Sequence, residues 1–139
     1  MNKHIYLYSM KYKTVFLSLL FGSCLITSCK KNQDKTIPTI ELYTPKENDT
    51  LSSTNLEYEI KFNAHDETML SKEFISIIDA DGTVLTSEER DIFGTDYYYS
   101  NTFIFNGTKG QLKKLTLHIR VIDKSGNTCE KMVVFNVKI

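Results

Sequence analysis

The chain has 139 residues, with 17 basic and 17 acidic side chains and no tryptophan. Residues 1–28 hold three lysines and no acidic residue, so the remainder carries 14 basic against 17 acidic side chains, a net charge of about −3. This length accommodates one folded domain, and the acidic balance excludes a nucleic-acid-binding protein, which would present a cluster of Lys and Arg.

The first segment of the chain predicts export. A lysine-containing start precedes an apolar run of about 15 residues, Thr14–Ser28, whereas a membrane-spanning helix needs about 20. A basic start, a short apolar centre and small residues at the end are typical of a signal peptide.

The end of this segment, Leu25-Ile-Thr-Ser-Cys29, resembles the lipobox of bacterial lipoproteins. The resemblance implies cleavage before Cys29, diacylation of its sulfur and acylation of the new amine, and two or three acyl chains give stable anchoring. One alternative is an ordinary secretory signal that leaves Cys29 as a free thiol. Another is a lipobox ending at Cys24, which would leave much apolar sequence after the cut.

The sequence therefore divides into a signal peptide (1–28), a lipidated polar tether (29–36) and a domain (37–139). The tether lacks apolar periodicity, which predicts disorder. Some surface lipoproteins of Bacteroidota carry an acidic cluster after the lipidated Cys, but this tether is rich in lysine. The periplasmic and surface faces of the outer membrane both remain open.

From Ile37 onward, apolar and polar residues alternate with period two. This alternation is typical of antiparallel sheets with one buried face and one face in water. The predicted strands are Thr39–Tyr43, Leu56–His65, Phe74–Asp79, Thr83–Ser87, Tyr97–Phe105, Leu115–Val121 and Met132–Ile139.

Turn signals separate these strands. Asp81-Gly82 predicts a hairpin, Asn106-Gly107 and Ser125–Asn127 predict further turns, and Glu67–Glu73 makes at most one helical turn. About seven short strands predict an all-β, immunoglobulin-like antiparallel β-sandwich.

Three stretches carry a family resemblance: Ile37–Pro45 with a P-x-I opening, Tyr58–Asp66 with Leu70 soon after, and Ile119–Asn127 with a V-x-D-x-x-G-N turn. They are similar to bacterial immunoglobulin-like domains, especially to those of small Bacteroidota lipoproteins of unknown function. The resemblance implies the fold of residues 37–139 and no activity.

Two places suggest calcium without requiring it. Asp79–Thr83 begins like a calcium loop, but Arg90 stands where an EF-hand needs Glu, so a hairpin is the better interpretation. Asp66 and Asp123 follow long strands whose ends could meet around a stabilising ion. The competing interpretation is that each aspartate caps its own turn. We predict no metal and no cofactor, and regard Asp66 and Asp123 as the residues that would hold an ion.

The sequence does not predict an enzyme. His65 and His118 lie at outward positions of predicted strands, where a lone histidine is seldom a catalytic base. No G-x-S-x-G elbow, H-E-x-x-H pair or glycine-rich phosphate loop occurs. The adjacent carboxylates of Glu88 and Glu89 would point to opposite faces of a strand.

Two single residues suggest surface chemistry. Cys129 is the domain's lone thiol, predicted to be a small buried residue, with an intermolecular disulfide as the alternative. Asp49-Thr50-Leu51 resembles the O-glycosylation acceptor of Bacteroidota, which would place a glycan on Thr50 in a loop.

The aromatic segment at residues 93–99 is a potential binding surface, formed by Phe93, Tyr97, Tyr98 and Tyr99. Three consecutive tyrosines on a strand cannot all face inward: either Tyr97 and Tyr99 face the core and Tyr98 faces out, or the reverse. An exposed tyrosine can stack on a sugar or anchor a protein. The competing explanation is that tyrosine simply suits strands.

Together, these features predict a non-catalytic, lipid-anchored module of the bacterial cell envelope, at the outer membrane. It would act as an accessory of a larger assembly, either by binding a partner or as a spacer. The partner would be an envelope protein or a glycan. The alternative is a carbohydrate-binding lipoprotein that uses residues 93–99.

Overall fold

The computed structural model describes residues 34–52, 57–105 and 108–139. They belong to a compact unit that begins at Asp34, slightly before the predicted start at Ile37. The predicted signal peptide, Cys29 and most of the tether lie outside the described residues. Within the described ranges, no helix has the length and apolar character needed to cross a membrane.

The described residues form eight strands, which are numbered in chain order. They are β1 (Thr39–Thr44), β2 (Thr50–Ser52), β3 (Glu57–His65), β4 (Leu70–Asp79), β5 (Val84–Asp91), β6 (Asp96–Ile104), β7 (Leu112–Asp123) and β8 (Thr128–Lys138). One sheet has three strands in the order β1-β3-β6, and the other has five in the order β2-β8-β7-β4-β5.

The predicted all-β, immunoglobulin-like sandwich is confirmed, and the described residues form eight strands where about seven were predicted. The additional strand, β2, has three residues and pairs in parallel with β8. Three residues are too few to show an alternation in the sequence. Every other pairing of strands is antiparallel.

The inward-facing residues predicted from the alternation form the core. In β3 the even-numbered residues from Tyr58 to Ala64 are buried, and in β7 the odd-numbered residues from Leu115 to Val121 are buried. Phe62 of β3 and Tyr99 of β6 stack with their ring centroids 5.0 Å apart. Aromatic pairs in this geometry add stability beyond the area that they bury.

The segment Glu67–Glu73 forms no helical turn, because strand β4 begins at Leu70 and pairs with β7 from there. The register shifts between Leu70 and Lys72, a β-bulge. After this irregularity Glu73 lies on the buried side of the strand, with none of its surface exposed.

Asp79–Thr83 is the predicted hairpin between β4 and β5. The Gly82 N–H donates to the Asp79 carbonyl at 3.0 Å, and Gly82 has a φ of +88°, which favours glycine. The second predicted turn, at Ser125–Asn127, joins β7 to β8. The third, at Asn106-Gly107, lies outside the described residues.

Candidate functional site

Three regions of the domain hold candidate functional residues. The first, called here the aspartate cluster, consists of Asp34, Asp66 and Asp123. Asp66 directly follows β3 of the three-stranded sheet, and Asp123 ends β7 of the five-stranded sheet. One carboxylate oxygen from each of the three residues lies within 4.8 Å of the others. The structure brings Asp66 and Asp123 together at one end of the sandwich.

Both of these aspartates also cap their own turns. Asp66 Oδ1 accepts the backbone N–H groups of Thr68 and Met69 at 2.9 and 3.0 Å. Asp123 Oδ1 accepts those of Ser125 and Asn127 at 2.7 and 2.8 Å. These bonds satisfy one oxygen of each carboxylate. Asp123 Oδ2 in turn accepts the Asn127 side-chain amide at 2.6 Å.

Asp66 Oδ2 is different, because it is buried and has no hydrogen-bond partner among the described residues. Asp66 and Asp123 are each only 2% exposed. A buried carboxylate oxygen without a donor or a cation is costly.

Asp34 joins the cluster from outside the strands. Its Oδ2 lies 2.8 Å from the Thr68 hydroxyl, and its carbonyl accepts the Asn127 amide at 3.2 Å. The Thr36 backbone N–H donates to its Oδ1 at 2.9 Å and lowers the pKa of the Asp34 carboxyl. Sequence reasoning missed Asp34 because it falls in the polar stretch assigned to the tether, and its partners are distant in sequence.

The second region is a groove of about 520 Å³ between β5 and β6, which are edge strands of different sheets. Its lining combines apolar and polar side chains. The lining residues are Leu85, Thr86, Glu88, Asn101, Thr102, Phe103, Ile104, Phe105 and Lys113. Such a mixture suits a ligand that offers both an apolar face and hydrogen-bonding groups.

The groove lies at the end of the sandwich opposite the aspartate cluster. Strand β4 starts at Leu70, beside the cluster, and runs to the hairpin at Asp79, which is about 30 Å at roughly 3.3 Å per residue. Leu85 lies just beyond that hairpin, and Lys113 lies at the start of β7, far along the strand from Asp123.

A network of polar side chains extends from Glu88, which lines the groove, toward the interior of the sandwich. Glu88 accepts the hydroxyl of Tyr99 and the amide of Asn101, each at 3.3 Å. Arg90 donates to Glu88 at 2.6 Å, and its guanidinium carbon lies 5.3 Å from the centre of the Tyr99 ring. Burial raises the pKa of the Tyr99 hydroxyl.

Glu73 belongs to the same network and is fully buried. Its Oε1 accepts the Tyr97 hydroxyl at 3.0 Å and lies 3.8 Å from Arg90 Nε, while its Oε2 has no partner among the described residues. Burial raises the pKa of the Glu73 carboxyl. Sequence reasoning missed Glu73, because the predicted strand began at Phe74, although Glu73 lies in the same alternating phase as the buried Ile75 and Ile77.

The third region, called here the aromatic face, is the outer surface of the three-stranded sheet around Tyr98. Tyr98 is 59% exposed, whereas Tyr99 is 1% exposed and lies in the core. Tyr97 is partly buried and packs against the core. The first of the two predicted arrangements is thus the one observed. Strand alternation turns the side chains of Tyr97 and Tyr99 inward, which leaves Tyr98 as the exposed ring of the three.

Within the described ranges, two other aromatic residues are exposed. Phe93 is 74% exposed in the loop between β5 and β6. Tyr43 of β1 lies beside Tyr98, with ring centroids 6.4 Å apart and the planes tilted by 42°. The sequence could not place Tyr43 there, because β1 reaches β6 only across the intervening strand β3.

The two histidines considered as candidate catalytic residues do not lie in one site. His65 in β3 pairs with Asp96 at 2.9 Å and lowers the pKa of its carboxyl, while His118 in β7 pairs with Glu130 at 3.2 Å. The two histidines belong to different sheets.

The burial of Cys129 and the secondary structure at Thr50 differ from the predictions. Cys129 is a free thiol near the start of β8 and is only half-buried, since it lies beyond the fully buried part of that strand. Thr50 is exposed, but it is the first residue of β2 instead of a loop residue.

Comparison with known proteins yields remote similarities of fold. No family model and no curated protein sequence matches the chain. A structure of CopC from Methylosinus trichosporium OB3b aligns with a TM-score of 0.46 and 14% identity, covering 74% of this chain and 93% of that one. Catalytically inactive OgpA from Akkermansia muciniphila, solved with an O-glycopeptide substrate, aligns with a TM-score of 0.48 and 12% identity, covering 78% of this chain and 31% of that one. The chain contains a small β-sandwich domain.

Proposed function

We propose that this chain is a lipid-anchored module of a bacterial cell envelope, of the kind found in small Bacteroidota lipoproteins, and that it binds a partner without catalysing a reaction. The lipobox-like Leu25–Cys29 supports anchoring through Cys29 at the outer membrane. The immunoglobulin-like sandwich supports a role in binding or spacing as an accessory of a larger assembly, with an envelope protein or a glycan as its partner.

The observation that carries this proposal is the position of the groove relative to the start of the folded unit. Asp34 begins that unit and contacts Thr68 and Asn127, in the turns at one end of the sandwich. The groove lies at the opposite end. Only Lys30–Gln33 separate Asp34 from Cys29, so acyl chains on Cys29 would hold the cluster end near the membrane and present the groove to a partner.

Site-specific photo-crosslinking in cells tests whether the groove is the binding surface. A photoreactive amino acid replaces Ile104, which lines the groove and is 66% exposed. The matched control replaces Met132, which is 62% exposed on the five-stranded sheet. We expect a discrete crosslinked species from position 104 and none from position 132. Equal crosslinking from both positions, or none from either, would contradict the proposal.

A second candidate function is carbohydrate binding, which the exposed pair of Tyr43 and Tyr98 favours. A tyrosine ring offers an apolar face to a sugar, and polar side chains that surround it can bind the hydroxyl groups. Lys61 and Glu59 form an ion pair at 2.7 Å, and Ser100 donates to Glu59 at 3.2 Å. All three extend from the same outer face as Tyr98. Ser100 lies two residues further along β6, and Lys61 and Glu59 are the β3 partners of Ser100 and Thr102.

Substituting Tyr98 tests this second function. In affinity electrophoresis against a panel of polysaccharides, Tyr98→Ala should weaken binding about tenfold, roughly 1.4 kcal/mol. Met132→Ala, an exposed substitution on the other sheet, should leave binding unchanged. If the wild-type protein binds a polysaccharide and Tyr98→Ala binds it equally well, the aromatic face is not the site. If the wild type binds none, this second function is wrong.

A further inference from the structure

We propose that the aspartate cluster is a calcium site. The proposal rests first on the orphaned oxygen of Asp66. Its Oδ1 already accepts the N–H groups of Thr68 and Met69 and lies 2.7 Å from the Thr68 hydroxyl. Its Oδ2 is buried and accepts no hydrogen bond from the described residues. Oδ2 is therefore the oxygen that remains to bind a cation.

The hydrogen bonding around Thr68 is incomplete in the same way. The Thr68 hydroxyl lies 2.7 Å from Asp66 Oδ1 and 2.8 Å from Asp34 Oδ2. A hydroxyl has one hydrogen to donate, so it can serve only one of the two carboxylates at a time. A cation between the carboxylates would bind the carboxylate oxygen that the hydroxyl leaves without a hydrogen bond.

The charge of the cluster also requires compensation. Two of its three carboxylates, those of Asp66 and Asp123, are almost fully buried. No Lys or Arg within residues 34–52, 57–105 and 108–139 forms a salt bridge with any of the three. Buried carboxylates are normally paired with a cationic side chain or a metal ion.

The donor atoms and their spacing indicate which ion fits. All three ligands are carboxylate oxygens, which suit hard cations, whereas zinc prefers sulfur and nitrogen. Opposite ligands of Ca²⁺ lie about 4.6–5.2 Å apart, and those of Mg²⁺ about 4.0–4.2 Å. The cluster's oxygens all lie within 4.8 Å of one another, which is within the width of a calcium coordination sphere. Water would supply the remaining ligands.

Calcium would tie together three separate parts of the domain. Asp66 follows the three-stranded sheet, Asp123 ends a strand of the five-stranded sheet, and Asp34 precedes the first strand. Together with the anchoring proposed above, the ion would fix the sandwich to the end of its tether. The site itself does not depend on the anchor.

Thermal unfolding of the full chain, purified in detergent and treated with chelator, tests the site. We expect about 1 mM Ca²⁺, a concentration at which extracellular modules bind it, to raise the unfolding midpoint by several degrees. Mg²⁺ at the same concentration should raise it less. Titration calorimetry with Ca²⁺ alone gives the affinity directly.

Asparagine variants locate the binding. Asp66→Asn keeps the Oδ1 acceptor of its turn and should weaken calcium binding at least tenfold. Asp34→Asn, which lies outside the core, should do the same and remains informative if Asp66→Asn does not fold. The control is Asp81→Asn, which keeps the acceptor for Thr83 N–H in the hairpin at the other end of β4; its calcium response should match the wild type.

Several results would overturn the site. They are no shift and no heat of binding with Ca²⁺ in the wild type, an equal shift with Mg²⁺, and a calcium response that Asp34→Asn retains in full. None of these results bears on Cys29 or on the groove, so failure of the calcium site is distinguishable from failure of the proposed function.

Discussion

Replacing Phe62 by Ala should destabilise the domain by about 3–5 kcal/mol, the usual cost of truncating a fully buried phenylalanine. Phe62 has no exposed surface, lies in the middle of β3 and stacks on Tyr99, which is its direct partner in β6. Domains of this size are stable by about 5–15 kcal/mol in total. Urea unfolding followed by circular dichroism should therefore show a large decrease in the midpoint, or a protein that is largely unfolded in buffer.

The control for this prediction is Tyr98→Ala, an aromatic truncation next to Tyr99 on the same strand. Tyr98 faces solvent, so its loss should cost less than about 1 kcal/mol, the range of strand preference. Equal losses of stability for Phe62→Ala and Tyr98→Ala would mean that the inner and outer faces of the three-stranded sheet are assigned wrongly.

Replacing Cys29 by Ser should abolish acylation of the protein. The lipobox resemblance implies that the acyl chains are attached through the Cys29 sulfur, and a serine hydroxyl does not replace that thiol. Each buried methylene of an acyl chain contributes about 0.8 kcal/mol to membrane binding, so the loss of two or three chains removes stable anchoring. Metabolic labelling with a clickable fatty acid, followed by fractionation of the membranes, measures both effects.

Two further variants make the labelling experiment specific. Cys24→Ser removes the thiol of the alternative lipobox, and Cys129→Ser removes the thiol on β8. Both variants should be labelled like the wild type. Continued labelling of Cys29→Ser, or loss of label in Cys24→Ser, would show that the cleavage and acylation site is assigned wrongly.

The long strands were predictable from the sequence because their environment is regular. Strands β3, β7 and β8 each have one face toward the core, so burial imposes a period of two that the sequence records. The hairpin at Asp81-Gly82 was predictable because its geometry needs a residue with positive φ. Strand β2 and the bulge before Glu73 were not predictable, because a three-residue strand and a single shift of register leave the pattern almost unchanged.

The candidate sites were less predictable, because each depends on contacts between distant residues. Asp66 and Asp123 could be paired from the expected ends of two strands, but Asp34 reaches them from outside any strand. The groove forms where edge strands of two different sheets approach each other. Such a juxtaposition depends on the three-dimensional order of the strands, which the alternation of residues within one strand does not encode.

The identity of the mature N-terminus tests the central claim most directly. We would purify the wild-type protein from membranes of the bacterium that produces it. We would then measure its intact mass and the mass of its N-terminal peptide. A lipid-anchored envelope module predicts a chain that begins at Cys29 and carries two or three acyl chains on that residue. A chain that begins at any other residue, or an unmodified Cys29, would contradict it.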